Sequence, residues 1–212
     1  MKPFTVLDAK AAPLMEQNVN TDIIIPIHRL RDFGQNELGP YAFEPWRYLP
    51  DGSDNPEFFL NKPAYKGAEI IVADENFACG SSREGAVWAV MGMGVRAVIA
   101  PSFGPIFFNN CFQNGVLPIQ LDRADVLAIA NELEGATRPG SNSEPKLSID
   151  LESRTVTTPS GRKITFHVDG IRRDALLKGL NEVALTLTRE GEIAAHQAMA
   201  RKATPWLYPA AQ

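Results

Sequence analysis

The sequence predicts an α/β fold with a parallel sheet at its core, and three observations carry this. Short apolar runs rich in β-branched residues, AEIIVA (68–73), VRAVIA (95–100) and VLPI (116–119), read as buried strands. The stretches between them, SREGAVWAVMGMG (82–94) and PIFFNNCF (105–112), read as helices. Strand alternating with helix in this way is the mark of parallel βαβ units.

The remaining elements follow in chain order. The first third is loop-rich, punctuated by Pro13, Pro26, Pro40, Pro45, Pro50, Pro56 and Pro63. Within it, NVNTDIIIP (18–26) reads as polar turn residues ahead of an apolar strand that Pro26 stops, with Asp22 in the place of a turn residue bonding locally. The aromatic and proline-dense segment 39–65 reads as an extended layer over the core, its rings packing rather than stacking on a ligand. ADVLAIANELEG (124–135) has apolar residues at helical spacing and a glycine, Gly135, to end it. RPGSNSEP (138–145) is a surface loop. KLSIDL, RTVTT and KITFHV are short strands, with TPSG (158–161) as a hairpin-type turn. From Gly170 to about Lys202 the chain is helical, with apolar Leu176, Leu177, Leu180, Val183 and Leu187. No internal boundary appears. The expectation is one unit over 1–212: a loop-rich N-terminal segment over 1–67, a core over 68–168 and a helical extension over 169–212.

Composition narrows the function. At 212 residues, 44% hydrophobic and 22% charged, the chain can bury a real core. A net charge of −4 leaves no electrostatic footprint for nucleic acid. The opening MKPFTVLDAKAAPL carries charges and a proline where a signal peptide needs an apolar run, and no apolar segment nears the ~20 residues that span a bilayer. A cytoplasmic protein with no membrane partner is expected. The two cysteines, Cys79 and Cys111, are too far apart for a Cys-x-x-Cys pair and read as reduced core thiols. His28, His167 and His196 show no ligand spacing.

The densest chemistry lies in CGSSREGAVWAV (79–90). Ser81-Ser82-Arg83-Glu84 fits a capping box, with Ser81 and Glu84 satisfying each other's backbone N–H groups. That accounts for two of the four residues. Gly80 permits a sharp turn, the free N–H groups of a helix start suit an anion, and Arg83 offers a fork that holds a carboxylate bidentately. A structural cap and an anion grip are both open readings at this point. A phosphate loop fits less well, because no lysine follows.

Taken together, NxxTDxIIP (18–26), NFxCGSSRE (76–84) and VIAPSFxxIFxNNCFxNGxLPI (98–119) make the chain resemble the small subunits of 3-isopropylmalate dehydratase. These form the swivelling β/β/α domain of the aconitase superfamily, here with a C-terminal helical extension. The resemblance runs over nearly the whole chain, including 51–84 and 149–187. It implies Ser81 as general base, with Asp22 as a second catalytic residue across the pocket. It implies Ser82, Arg83 and Thr21 as substrate-binding, and Arg29 and Arg31 as candidates for the same role from a substrate segment at 27–40. Glu84 would keep its capping role.

It also implies a 4Fe–4S cluster supplied by a separate large subunit, since two cysteines cannot hold one, and a small dicarboxylic hydroxy-acid as substrate. The chain departs from that family at Gly85, where a histidine is usual. It departs again at 34–37, Gly-Gln-Asn-Glu, where bacterial relatives commonly carry an arginine. Three functions follow: isomerisation of 2- and 3-isopropylmalate through isopropylmaleate, the same dehydration of another substituted malate, or a non-catalytic partner subunit.

Overall fold

Small and β-branched residues dominate the four strands of the parallel half: β1 (Val6–Leu14), β2 (Ile70–Ala73), β3 (Ala97–Ala100) and β4 (Leu117–Gln120). Before β2 the chain makes three short helices, α1 (Thr21–Ile24), α2 (Ile27–Asp32) and α3 (Glu44–Arg47). Helix α4 (Gly85–Gly92) joins β2 to β3, and α5 (Pro105–Asn114) joins β3 to β4. After α6 (Arg123–Ala136) come the antiparallel strands β5 (Lys146–Asp150), β6 (Thr155–Thr157) and β7 (Lys163–Thr165). Three helices close the chain: α7 (Gly170–Lys178), α8 (Glu182–Leu187) and α9 (Glu190–Ala203). This computed structural model describes residues 1–80, 83–141 and 143–208. Ser81 and Ser82 lie outside the described residues.

All seven strands join one sheet in the order β4-β3-β2-β1-β5-β6-β7. The first four are parallel, in a register that pairs Ala11 with Ile70, Ile71 with Val98 and Val98 with Pro118. Strand β5 reverses direction beside β1, pairing Leu7 with Ile149. The two-residue period of the strands divides the core between the faces. Ile71 and Ala73 point into one cluster with Phe43, Val87, Val90 and Phe107. Ile70 and Val72 point into the other with Val126, Ile129 and Leu133 of α6. Parallel strands buried on both faces explain why these runs are apolar throughout.

Five expectations need correcting. Strand β1 lies at the centre of the sheet although its sequence, VLDAKAAPL, carries no strong strand signal. Residues 21–24 form a helical turn, not a strand: Asn20 is extended and its Oδ1 accepts from Ile23 N at 2.9 Å, which starts the turn and buries Ile24. Gly135 sits inside α6, which runs on to Ala136 and ends at Thr137. The tail is three helices, broken at Gly179 in the left-handed conformation and again near Thr188. Of its apolar residues Leu176 is buried, whereas Val183 and Leu187 are 67% and 59% exposed. The segment 39–65 is built of short helical turns rather than an extended layer, but its rings pack as expected, with Phe59 edge-on to Phe43 and Phe58 inside the core.

A candidate active site at the carboxyl ends of the parallel strands

Open parallel sheets present ligands at the carboxyl ends of their strands, and there the loops leaving β1, β2 and β3 meet. Asn18 N donates to Glu75 O at 3.0 Å and Thr21 N to Cys79 O at 3.0 Å, so the loop after β1 pairs with the loop after β2. On the other side Phe77 N donates to Ser102 O at 3.1 Å, and Gly104 N to Phe77 O at 2.8 Å. The middle loop is therefore held from both flanks. It is also contorted: Asn76, Ala78 and Gly80 all have positive φ, at 60°, 57° and 98°. Non-glycine residues in that region store strain, which persists only where the surroundings over-determine it. Gly104 makes the close approach feasible, since a Cβ there would overlap the Ala78 carbonyl.

Gly80 delivers the chain to Ser81 and Ser82 and then to Arg83, ahead of α4. Arg83 Nη1 donates to Asp22 Oδ1 at 2.5 Å, joining two clusters that stand 61 residues apart. The Arg83 side chain is 20% exposed and Asp22 is 59% exposed, so the pair is open on the carboxylate side. Thr21 beside it is buried. The expected local turn bond of Asp22 thus gives way to a tertiary ion pair.

Glu84 stands immediately before α4, and its side chain accepts no bond from the first N–H groups of that helix. Its expected bond back to Ser81 falls on a residue outside the described ones. Its Oε1 accepts from Asn114 Nδ2 at 2.7 Å, while Asn114 Oδ1 accepts from Trp88 Nε1 at 3.1 Å. Asn114 supports the site and appears in the sequence only within the motif 98–119, with nothing local to assign it a role.

Arg29 and Arg31 are engaged within their own segment. Arg29 bonds both oxygens of Glu44, at 2.8 and 2.5 Å, and lies over the Tyr41 ring. That bond holds the Glu44 carboxyl below the usual carboxylate range and the guanidinium above its own. Arg31 Nε donates to Asp32 Oδ1 at 2.9 Å, with its side chain 79% exposed. In 34–37, Glu37 Oε2 accepts from Gly34 N at 2.9 Å. The structure thus brings Asp22, Thr21 and Arg83 together and leaves Arg29 and Arg31 with other partners.

Of the two thiols, Cys79 is half-exposed and its Sγ lies 3.6 Å from the Asn18 carbonyl oxygen. Cys111 is enclosed in the core, and burial pushes its thiol pKa well up. Among the described residues no group of three or more His, Cys, Asp or Glu stands where it could hold a metal ion.

Comparison with known proteins agrees with this architecture. The family model of the aconitase C-terminal domain matches residues 1–124, and a second model, LeuD_N, matches residues 141–170. A 3-isopropylmalate dehydratase small subunit of Gluconacetobacter diazotrophicus is 47% identical over 206 residues, covering 97% of both chains. Its counterpart from Paramagnetospirillum magneticum is 48% identical, covering 98% of this chain and all of that one. The crystal structure of a 3-isopropylmalate dehydratase (leuD) from Methanocaldococcus jannaschii superposes with a TM-score of 0.62 at 27% identity, over 90% of this chain and 99% of that one. The chain belongs to the family of 3-isopropylmalate dehydratase small subunits, built on the aconitase C-terminal domain.

Proposed function

We propose that this chain is the small subunit of a hydro-lyase that interconverts 2-isopropylmalate and 3-isopropylmalate through isopropylmaleate in leucine biosynthesis. It works in the cytoplasm, as one swivelling unit over 1–212, with a large subunit as its partner and neither nucleic acid nor membrane as a further one. The observation that carries the reading is the Arg83–Asp22 pair, formed across 61 residues by the arginine that follows the two serines in sequence.

The reaction removes water and returns it the other way round. A C–H beside one carboxylate gives up its proton, the hydroxyl on the neighbouring carbon leaves, and a double bond forms between them. Re-addition exchanges the positions of hydrogen and hydroxyl. In this reading Arg83 grips a substrate carboxylate with its fork, Ser82 and Thr21 add hydrogen bonds, and Asp22 keeps the guanidinium aimed. Ser81 takes the proton as an alkoxide. A serine hydroxyl is a poor base in water, so its anion depends on the cation at Arg83 and on the N–H groups ahead of α4.

The chain's own residues do not fit an iron–sulfur cluster. Such a cluster takes three or four protein thiolates, whereas this sequence has two cysteines, one of them sealed in the core. The reading therefore assigns the 4Fe–4S cluster to the large subunit.

A second reading, the same dehydration of a malate with another side chain, is favoured by one observation: Arg29 and Arg31 are committed to Glu44 and Asp32, and 34–37 carries no arginine. Turnover of a panel of malates by the chain reconstituted with its large subunit tests both. The first reading expects 3-isopropylmalate to be the best substrate, with neither subunit active alone. Ser81→Ala should lower kcat by about 10²–10⁴. Activity confined to citramalate-like acids would select the second reading, and full activity of Ser81→Ala would leave the chain a non-catalytic partner.

A further inference from the structure

The segment 27–41 lies along α4, and at both ends of that helix the contact leaves no room for a side chain. A Cβ on Gly85, the first residue of α4, would run into Leu30 Cδ2 and stand 3.0 Å from Cδ1 and 3.2 Å from Cγ. A Cβ on Gly92, its last residue, would stand 2.7 Å from both Cα and N of Gly39. The two contacts differ in kind. Gly39 and Gly92 meet backbone to backbone, whereas Leu30 is the far end of a flexible side chain filling a vacancy. Helix propensity alone would favour alanine at position 85, so what the glycine contributes there is room.

That vacancy lies two residues after Arg83, and α2 begins five residues after Asp22. The two members of the anion pair thus lead by short connections to the two sides of the Leu30–Gly85 contact. Leu30 is half-buried against the core beside Phe33 and Tyr41, and Arg29 anchors the same turn of helix to Glu44.

We propose that Leu30 and Gly85 are a positioning pair, in which Leu30 seated over Gly85 fixes α2 against the Arg83 end of α4 and so sets the geometry in which Arg83 and Asp22 meet the substrate dicarboxylate. The inference rests on the functional reading above, and the residue that departs from the usual family pattern acquires a role. Neither member touches substrate. Both act through Arg83 and Asp22.

The test compares Gly85→Ala, Leu30→Ala and the double variant with the unaltered chain, in two measurements. In the chain alone, amide hydrogen exchange over 27–33 should speed up about tenfold or more in Gly85→Ala. Leu30→Ala, which empties the seat, should speed it as well, and the double variant should be no faster than either single one, because the added methyl group refills part of the vacated space. In the complex with the large subunit, KM for 3-isopropylmalate should rise about tenfold in Gly85→Ala and in Leu30→Ala, with kcat within twofold, and should rise no further in the double variant. Unchanged exchange and KM in Gly85→Ala or in Leu30→Ala would overturn the proposal, as would effects that simply add in the double variant. Failure of the unaltered complex to turn over 3-isopropylmalate would sink the functional reading instead, with the exchange comparison still deciding whether Leu30 is seated as described.

Discussion

At the scale of single residues the site depends on one guanidinium. Arg83 has a flat fork of donors, of which Nη1 meets Asp22. Lysine keeps the charge and loses the fork. Arg83→Lys should therefore raise KM about tenfold or more, a loss near 1.4 kcal/mol, while the melting temperature stays within about 2 °C; steady-state kinetics and a thermal scan on the reconstituted pair check both. A second residue supports the platform from below. Asp74, 4% exposed, takes Arg123 bidentately at 3.0 and 2.9 Å and also accepts from Glu75 N. The Arg123 bond, with those backbone contacts, holds its carboxyl below the ordinary range. A carboxylate with a lowered pKa stabilises the fold above its unfolded-state value, about 3.9, and loses that contribution as pH falls through the folded-state value. Asp74→Asn should thus cost about 1–2 kcal/mol at pH 7, with the gap to the unaltered chain closing below about pH 4 in denaturant titrations. Arg83 and the serines stand out in the sequence because charged and hydroxyl residues crowd a helix start there, whereas Asp22 reads as a turn residue and gains a role only through the family resemblance. That Arg83 meets Asp22, and that Glu84 meets Asn114, are facts of tertiary distance that no local pattern carries.

Among the elements, legibility followed how locally each is determined. Strands β2 to β4 and helices α5 and α6 announce themselves through apolar periodicity and glycine or proline punctuation. Strand β1 does not, because its alanines and its Asp8, Lys10 and Pro13 make a poor strand in isolation. It is a strand because β2 and β5 flank it. Pro13 is tolerated where pairing with β5 has already ended, at Lys10. Its small side chains, Ala9 and Ala11, join the cluster that α6 covers. The apolar run 23–25 misled for the opposite reason: a buried helical turn and a buried strand are alike over so short a span. Close approach is a constraint of the same scale. Gly92→Ala would force the backbones of α4 and the Gly39 turn apart, with no side chain free to yield, and should cost about 1–3 kcal/mol in equilibrium unfolding. The far end of the chain should behave in the contrary way. No residue of α9 is buried, and an unsupported helix of its length is marginal in water. Removing residues 189–212 should shift the melting temperature by less than about 3 °C, and α9 amides should exchange among the fastest in the isolated chain.

For the whole molecule the decisive feature is that its anion site lies open at one edge of the sheet. Asp22 is more than half exposed, and the described residues place no second cationic group on it beyond Arg83. An ion pair in such a setting is worth at most about 1 kcal/mol, because water screens it and the side chains give up freedom to form it. A dissociation constant of 1 mM requires about 4.1 kcal/mol, and 1 µM about 8.2. One guanidinium already shared with Asp22, with a few hydrogen bonds, therefore falls short of even millimolar binding once the substrate's own freedom is lost. The remainder has to come from surface that a second polypeptide brings over the same edge, which also excludes the water that weakens each contact. The isolated chain should bind 3-isopropylmalate with a Kd above about 1 mM, and the complex should bind it at least 100-fold more tightly. Calorimetry on the chain alone and then on the reconstituted pair decides the matter. Micromolar binding by the chain alone would mean that the site is complete without its partner, and the division of labour proposed here would fail.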